Sequence, residues 1–432
     1  MVGIIKKVLI AVTLFTSAIT AFAAPDVTKC IGFASIDGKG NQTLAGGVTG
    51  GAGGQVVTVT NVDDLVKYCN QEGPLTIIVE GTIQIPNDKS KGTLHVAQKP
   101  NPGFSSPASL PYSIFVKSDK TIIGKGSNAM IKSGGFVIGS WDETYGFLND
   151  VNTPPENTVH NIIIQNITFD LSGGPKSETD GVSIFMHAHH IWVDHCTFKN
   201  APDGALDIKR GASYCTFSYN HFIGIHKTCL CGSGDDRGKQ DTGFLKSTYH
   251  HNYFQNCKSR QPRVRFGEVH VFNNYFKGIG NYAIGVGAGS QIYSENNNKD
   301  GGSSFSTVMG PSSGGLKDVG SIGGSSIKPE RVKWNPKDFY TYPLESANEV
   351  KNTVTSYAGA GKVDFKVGVT NTGFKPVADS HSAKNIQSSV FSLLGKKVTS
   401  NKEVTPNNAA NIYIIQNKST HKKIISKNGQ IK

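Results

Sequence analysis

The chain has 432 residues, 50 of them glycine, and only 18% of its residues are charged. This composition favours a turn-rich β protein over a helical one, and the length is sufficient for a large core. The net charge of +12 is concentrated at the two ends of the chain, because eight lysines and only one acidic residue follow Ile386 and two more lysines lie in the first seven residues. The remaining body is only mildly basic, which argues against a nucleic-acid-binding protein.

The first 23 residues have the features of a secretory signal. Lys6 and Lys7 precede an apolar run over residues 8–19, and Ala21-Phe22-Ala23 has the small-x-small pattern of a cleavage site. The apolar run is short for a bilayer span. We therefore expect a secreted protein with no membrane span in the mature chain.

Glycine turns, a short helix and β strands follow the signal. The glycine-rich residues 50–54 lead into the strand QVVTVT. Thr60 or Asn61 is expected to cap a helix, DDLVKYCN, with Asp63 and Asp64 in its first turn. The Ile- and Val-rich stretches LTIIVEGTIQI and KTIIGKG are predicted strands. In a repeat fold, this helix would cover the open end of the core.

Five short β-like segments then repeat one pattern, a phenylalanine preceded by polar residues. The phenylalanines are Phe169, Phe198, Phe222, Phe254 and Phe276, and Asn220, Asn252 and Asn274 each lie two residues before one of them. Such spacing is typical of a parallel β-helix, in which aromatic rings stack inside and asparagines form ladders through left-handed turns. Asn-Gly hairpin turns, which are more frequent in a sandwich or barrel, are scarce. The predicted fold class is therefore all-β, a parallel β-helix.

The repeat fades after about residue 300. A Gly/Ser-rich loop covers residues 301–326, and the sequence at 342–362 predicts a closing helix with a glycine stop. We predict a β-helix domain over 24–375, a polar linker over 376–388 and a small β appendage over 389–432.

Seven cysteines are an odd number for an exported chain. Cys196 and Cys215 fall in β-like segments and are expected to be buried as small apolar residues. Cys30 and Cys69 are candidates for a disulfide, and the sequence does not assign the connectivity.

The chemistry of the chain is concentrated in residues 203–276. Asp203 and Asp207 are two carboxylates that can hold a hard cation. Lys227 lies in a Cys- and Gly-rich segment, and three arginines crowd the segment RQPRVRFG at 260–267. Clustered ammonium and guanidinium groups bind carboxylates. A metal and a cationic cluster on one surface indicate a polyanionic substrate that contacts both, although each residue alone could be an ordinary turn or surface residue.

These residues resemble the pectate lyases of polysaccharide lyase family 1. The resemblance rests on WVDH at 192–195, DGALDIK at 203–209, Lys227 with LCG after it, and RQPRVRFG, and it covers residues 30 to 362. It implies a right-handed parallel β-helix, the single-stranded pectin lyase-like solenoid. It also implies Ca²⁺-dependent β-elimination of polygalacturonate, giving 4,5-unsaturated oligogalacturonides.

The resemblance further implies a role for six residues. Asp180, Asp203 and Asp207 match calcium ligands, Arg260 matches the catalytic base, and Lys227 and Arg265 match contacts to substrate carboxylates. The segment after Asp180 contains no further carboxylate, so the number of calcium ions is open. Positive charge around a guanidinium favours its neutral form, which a base requires, and we expect an alkaline rate optimum.

Three other functions compete with this one. A polygalacturonase would need paired carboxylic acids and a Gly-His-Gly element, which is missing. A pectin lyase would act on methylated chains without calcium. A noncatalytic glycan-binding protein would tolerate loss of Arg260. Trp192 and the Asp194-His195 pair are interpreted as packing and hydrogen-bonding residues, and His187, His189 and His190 as a polar coil edge.

The last 45 or so residues resemble the sorting domain of bacterial type IX secretion, on LLGKKV and IYIIQ…KKIISK. This resemblance implies contact with bacterial secretion machinery and a place at the cell surface. An unrelated β appendage or carbohydrate-binding tail is the alternative. The expected partner of the main domain is polygalacturonate, and the enzyme is expected to be a monomer.

Overall fold

The computed structural model describes residues 24–86, 113–139, 156, 158–174, 180–310, 313–328 and 330–365, and the backbone of three short strands beyond them. The predicted signal, the predicted linker and most of the C-terminal appendage lie outside these residues. The chain divides into two compact units, Met1–Lys375 and Pro376–Lys432. Within the described residues, every helix is too short or too polar to cross a membrane.

One long parallel sheet runs through the first unit. Its ten strands are Gln55–Val59, Leu75–Val79, Lys120–Gly124, His160–Gln165, His189–Asp194, Ser213–Ser218, Ser247–His250, Glu268–Phe272, Gln291–Glu295 and Gly315–Val319. Each strand pairs with the next one along the chain. Because parallel neighbours need a crossover between them, the chain must leave this sheet and return once for every strand.

The crossovers form two further ranks of short parallel strands. The first rank contains Thr82–Gln84, Met130–Lys132, Thr168–Asp170, Thr197–Lys199, His221–Ile223 and Tyr253–Gln255. The second rank contains Ser113–Phe115, Gly135–Ile138, Val182–Ile184, Leu206–Ile208, Leu230–Cys231 and Arg263–Val264. The long strand Tyr275–Val286 pairs with the last member of each rank and with Asn298–Val308. The chain thus visits three parallel ranks in turn, which confirms the predicted parallel β-helix.

The interior of the coil stack is a column of aromatic rings. The five predicted phenylalanines are all fully buried, and consecutive rings stack with centroids 4.9 to 5.2 Å apart. Neighbouring strands lie about 4.8 Å apart, so a side chain repeated in register in each coil must meet its equivalent face to face. The predicted phenylalanine stack is confirmed.

A column of asparagines lies two residues before the last three of these phenylalanines. Asn252 donates through Nδ2 to Asn274 Oδ1 at 2.9 Å, and its own Oδ1 accepts from Asn220 Nδ2 at 3.1 Å. The left-handed backbone angle falls on the preceding residue, as at Tyr219 and His251, whose φ angles are 49° and 53°. The ladder is therefore as predicted, but the asparagine itself does not adopt the left-handed conformation.

Three α-helices are described in the first unit: Val62–Cys69, Gly238–Asp241 and Ala347–Tyr357. Asn61 caps the first helix by accepting from the Asp64 N–H at 2.9 Å, and Leu65 of this helix is buried in the main core. The predicted closing helix packs Val350 and Val354 against Tyr253 and Tyr275. It therefore covers the outer face of the first rank.

Smaller elements complete the described backbone. Two short 3₁₀ helices are Phe33–Ser35 and Pro336–Asp338, and Gly38–Lys39 pairs antiparallel with Gln42–Thr43. In the second unit, Ser389–Phe391, Tyr413–Gln416 and Lys422–Ile425 form an antiparallel sheet. All seven cysteines lie among the described residues as free thiols, so the suggested disulfide between Cys30 and Cys69 is not formed.

Candidate active site

The outer face of the second rank gathers the charged residues of the site. Asp207 pairs in register with Ser183 of the preceding coil, and Arg263 pairs with Leu230. Alternate residues of a strand point to opposite faces, so Leu206 and Ile208 enter the core while Asp207 points outward. On this outward face the four successive coils present Ser183, Asp207, Leu230 and Arg263, three polar residues and one leucine.

Asp180 and Asp207 converge on Gly204. The Gly204 N–H donates to Asp180 Oδ1 at 3.0 Å, and the Leu230 N–H donates to Asp207 Oδ1 at 2.9 Å. A Cβ at position 204 would lie 2.5 Å from Asp180 Oδ1 and 2.8 Å from Asp207 Oδ1. Only glycine leaves room for both carboxylates. The structure thus joins two of the predicted ligands from neighbouring coils.

The environment of Asp207 opposes its ionisation. Burial raises the pKa of the Asp207 carboxyl well above its usual range, and the negative charge of Asp180 raises it further. Lys209, the Leu230 N–H and Arg260 act in the opposite direction. A pair of buried carboxylates with hard oxygen atoms has the chemistry of a site for a hard cation.

Lys209 is the residue of this site that the sequence analysis missed. Its Nζ lies 3.3 Å from Asp180 Oδ2 and 3.9 Å from Asp207 Oδ2. Burial alone would lower the pKa of Lys209, but the charges of Asp180 and Asp207 outweigh burial and raise it. The spacing between Asp207 and Lys209 could have indicated this contact, because residues two positions apart along a strand point to the same face of the sheet.

Asp203 does not join the other two carboxylates. Its Oδ1 accepts from Lys227 Nζ at 2.8 Å, and both side chains are about one-third exposed, at 32% and 40%. Across the described residues, no three His, Cys, Asp or Glu side chains are gathered closely enough to hold a metal. The proposed ligand set is therefore split in this structure into the pair Asp180 and Asp207, and Asp203 bound to Lys227.

Arg260 lies on the next coil, beside Lys227. Lys227 forms a parallel bridge with Ser259, and the Arg260 carbonyl accepts from the Cys229 N–H at 2.7 Å. Arg260 has a left-handed backbone with φ of 68°. Its positive charge is one of those that act on Asp207. The structure thus brings the predicted base to the same surface as the carboxylate pair.

Arg265 is held by a loop that the sequence analysis did not consider. Its Nε donates to Asp235 Oδ1 at 2.5 Å and its NH1 donates to the Gly232 carbonyl at 2.8 Å, and the residue is only 7% exposed. Its neighbour Arg263 has an Nε that is buried without a hydrogen-bond partner in the described part of the chain. Burial, followed by the charge of Arg265, lowers the pKa of Arg263.

The conspicuous histidine and tryptophan residues lie elsewhere, on the long sheet. Asp194 Oδ2 lies within hydrogen-bonding distance of His195 Nδ1, at 2.7 Å, and Asp194 Oδ1 accepts from Ser218 Oγ at 2.7 Å. Trp192 Nε1 donates to Ser218 Oγ at 2.8 Å. Ser218 donates to the carboxylate and not to the histidine, so this is not a nucleophile arrangement, and the packing interpretation agrees with it.

The three other histidines differ from expectation. His187, His189 and His190 are all at least 98% buried, so they do not form a polar coil edge. His189 and His190 contact each other through their Nδ1 atoms at 2.6 Å. Burial lowers the pKa of His189, which keeps this ring neutral. His189 and His190 begin a strand of the long sheet, and the N-terminal segment covers this strand, since His190 Nε2 lies 2.7 Å from the Ile36 carbonyl oxygen.

Known proteins resemble the chain in sequence and fold. The family model described as pectate lyase matches residues 12–363. A pectate trisaccharide-lyase of Thermotoga maritima is 32% identical, with 83% of this chain and 96% of the relative covered. A pectate lyase of Bacillus subtilis is 30% identical, with 83% and 100% covered.

Solved structures agree with these relatives. A thermostable pectate lyase has a TM-score of 0.59 and 28% identity, covering 75% of this chain and 97% of its own. A pectate lyase bound to a hexasaccharide has a TM-score of 0.57 and 27% identity, covering 77% and 99%. The fold and the charged face of the second rank define a parallel β-helix polysaccharide lyase. The chain belongs to the pectate lyase family.

Proposed function

We propose that this enzyme cleaves polygalacturonate by calcium-dependent β-elimination on the outer face of the second rank. The observation that carries the proposal is the convergence of Asp180 and Asp207 over Gly204, one coil away from Lys227 and beside Arg260. A uronate polymer carries one carboxylate per sugar. It therefore needs positive charge at regular spacing, which cations on successive coils and a bound divalent ion supply.

Each chain residue has a distinct role in the proposal. Asp180 and Asp207 would hold Ca²⁺, with Asp203 as a further ligand once Lys227 binds substrate. The bound ion would neutralise the uronate carboxylate and so make the proton on C5 more acidic. Lys227 and Arg265 bind substrate carboxylates and stabilise the negative charge that develops at this centre. Arg260 removes the C5 proton, and the C4–C5 double bond forms as the bond between C4 and the glycosidic oxygen breaks. The glycosidic oxygen leaves with that bond's electron pair and takes a proton from water.

The test is the release of unsaturated product, followed by its ultraviolet absorbance. Polygalacturonate and highly methylated pectin are supplied in parallel, with calcium or with an excess of chelator. We expect product from polygalacturonate only with calcium, and a faster rate at alkaline pH. Chelator-resistant cleavage of methylated pectin would instead identify a pectin lyase. Binding of either polymer without any product would identify a glycan-binding protein.

Gly204→Ala should weaken calcium binding by about 10- to 100-fold, because overpacking costs about 1–3 kcal/mol. The added methyl group would lie within 3 Å of an oxygen of each carboxylate and force them apart. Calorimetric titration with calcium measures the change. Gly280→Ala is a matched control, since the atoms nearest to its Cβ would be those of Lys258, at 3.2 Å or more. Equal affinities of the two variants would refute this role of Gly204.

We also propose that the enzyme is exported, on the basis of the signal pattern in residues 1–23. The C-terminal tail is proposed to direct it to the cell surface by type IX secretion. Protein recovered from the medium or the surface of the producing cells should begin near residue 24. An intact N-terminus on protein that stays inside the cells would contradict export.

A further inference from the structure

Asp180 and Asp207 share one arrangement of their oxygen atoms. In each carboxylate, Oδ1 accepts a backbone N–H from a neighbouring coil, at 3.0 Å for Asp180 and 2.9 Å for Asp207. In each, Oδ2 faces the ammonium group of Lys209, at 3.3 Å and 3.9 Å. The backbone thus fixes one oxygen of each carboxylate, and the two remaining oxygens point to a single lysine.

The backbone of Lys209 is fixed beside the carboxylate pair. Its backbone N–H donates to the Ile184 carbonyl at 2.9 Å, at the end of the strand that carries Asp207. Its side chain is 24% exposed, and those of Asp180 and Asp207 are 10% and 7% exposed. The lysine stem has enough length to turn its ammonium group outward, but its Cα stays two residues from Asp207. The ammonium group therefore always remains within reach of the pair.

Two largely buried carboxylates that converge on one glycine repel each other unless a positive charge lies near both of them. Lys209 supplies that charge when no metal is bound. A divalent ion that binds the same Oδ2 atoms must displace the ammonium group or remain close to it, and either change opposes metal binding. The lysine and the metal therefore compete for one pair of oxygens.

We propose that Lys209 is a built-in counterion that stabilises the metal-free site and weakens its affinity for calcium. This inference rests on the calcium site of the proposed function and adds a residue that sets its affinity. Lys209 makes the enzyme stable before it meets calcium. The site then fills only where calcium is abundant, which makes calcium concentration the control of activity.

The experiment compares calcium titrations and metal-free melting temperatures of the full-length wild type and four variants. Lys209→Met and Lys209→Gln remove the charge, and Lys209→Arg retains it. Lys199→Met is the matched control, because Lys199 Nζ lies 3.3 Å from Asp170 Oδ2 in an ion pair of the first rank. Calorimetry gives the dissociation constant without any reading of catalytic activity.

The neutral variants should bind calcium at least about tenfold more tightly, since loss of roughly 1.4 kcal/mol of opposition corresponds to that factor. Their metal-free melting temperatures should fall, and calcium should restore them. Lys209→Arg and Lys199→Met should keep the wild-type affinity.

Unchanged or weaker calcium binding by the neutral variants, with binding by the wild type intact, would overturn the inference alone. If neither the wild type nor any variant binds calcium, the calcium role in the proposed function fails as well. If one neutral variant does not fold without metal, the other provides the titration. A folded Lys209→Gln variant that melts at the wild-type temperature without metal also counts against the inference.

Discussion

Replacing Arg260 with lysine should lower kcat on polygalacturonate by about 10²- to 10⁴-fold, the usual contribution of a positioned general base. Lysine keeps the positive charge that acts on Asp207, so calcium and substrate binding should change little. It cannot place a guanidine nitrogen at the C5 proton. Initial rates of unsaturated product formation, measured with saturating calcium over neutral to alkaline pH, give kcat and KM separately.

The control for this variant is Arg331→Lys, at an exposed arginine. It should leave both kinetic constants unchanged. An Arg260→Lys enzyme within a few-fold of the wild-type kcat would remove Arg260 from the role of base. A wild-type rate that peaks at acidic pH would point instead to a carboxylic acid as the proton-transfer group.

Asn252→Ala should destabilise the β-helix by about 3 kcal/mol or more, since each buried polar group left without a partner costs about 1–3 kcal/mol. Asn252 Oδ1 accepts from both the backbone N–H and the side-chain amide of Asn220, at 3.0 and 3.1 Å. Its Nδ2 donates to the Phe217 carbonyl and to Asn274 Oδ1, each at 2.9 Å. Alanine leaves these groups buried and unpaired in the middle of the ladder.

Urea unfolding followed by far-ultraviolet circular dichroism measures this loss. Coils of a solenoid contact only their neighbours, so the damage should open the stack at this coil and broaden the transition. Asn352→Ala, on the exposed face of the closing helix Ala347–Tyr357, is the control and should change stability by less than about 0.5 kcal/mol. A loss of under about 1 kcal/mol for Asn252→Ala would show that the ladder is not a main source of stability.

Parts of the fold could be predicted from the sequence because a solenoid repeats one structural unit. A side chain that fills the core in one coil must be matched in the next, so Phe198, Phe222 and Phe254 recur at corresponding positions. Buried turns need a hydrogen-bonding side chain, so asparagine recurs directly after the left-handed residue of each such turn. The short helix was also predictable, since its Asn61 cap and its apolar residues are local signals.

The contacts between the charged residues of the site could not be predicted from the sequence in the same way. Asp203 and Asp207 are close in sequence, which suggested a carboxylate pair, but the structure pairs Asp207 with Asp180. Hydrogen bonds between neighbouring coils join residues 24 positions apart at Asp180, 23 at Asp207 and 33 at Arg265. Unequal loops between the coils set these offsets, and no local pattern reveals them.

The sequence by itself determined that this protein is a β-helix of the pectate lyase family, through the family motifs and the recurring phenylalanines. It could do so because the same core position is filled in each successive coil. Only the tertiary structure decided that Lys209 faces the carboxylate pair, that Lys227 holds Asp203 and that Asp235 holds Arg265. The physical reason is that these contacts form between coils and loops. The loop lengths between the coils set which residues become neighbours. A charged side chain can also change its partner by moving a few ångströms, and the sequence pattern is the same for either partner.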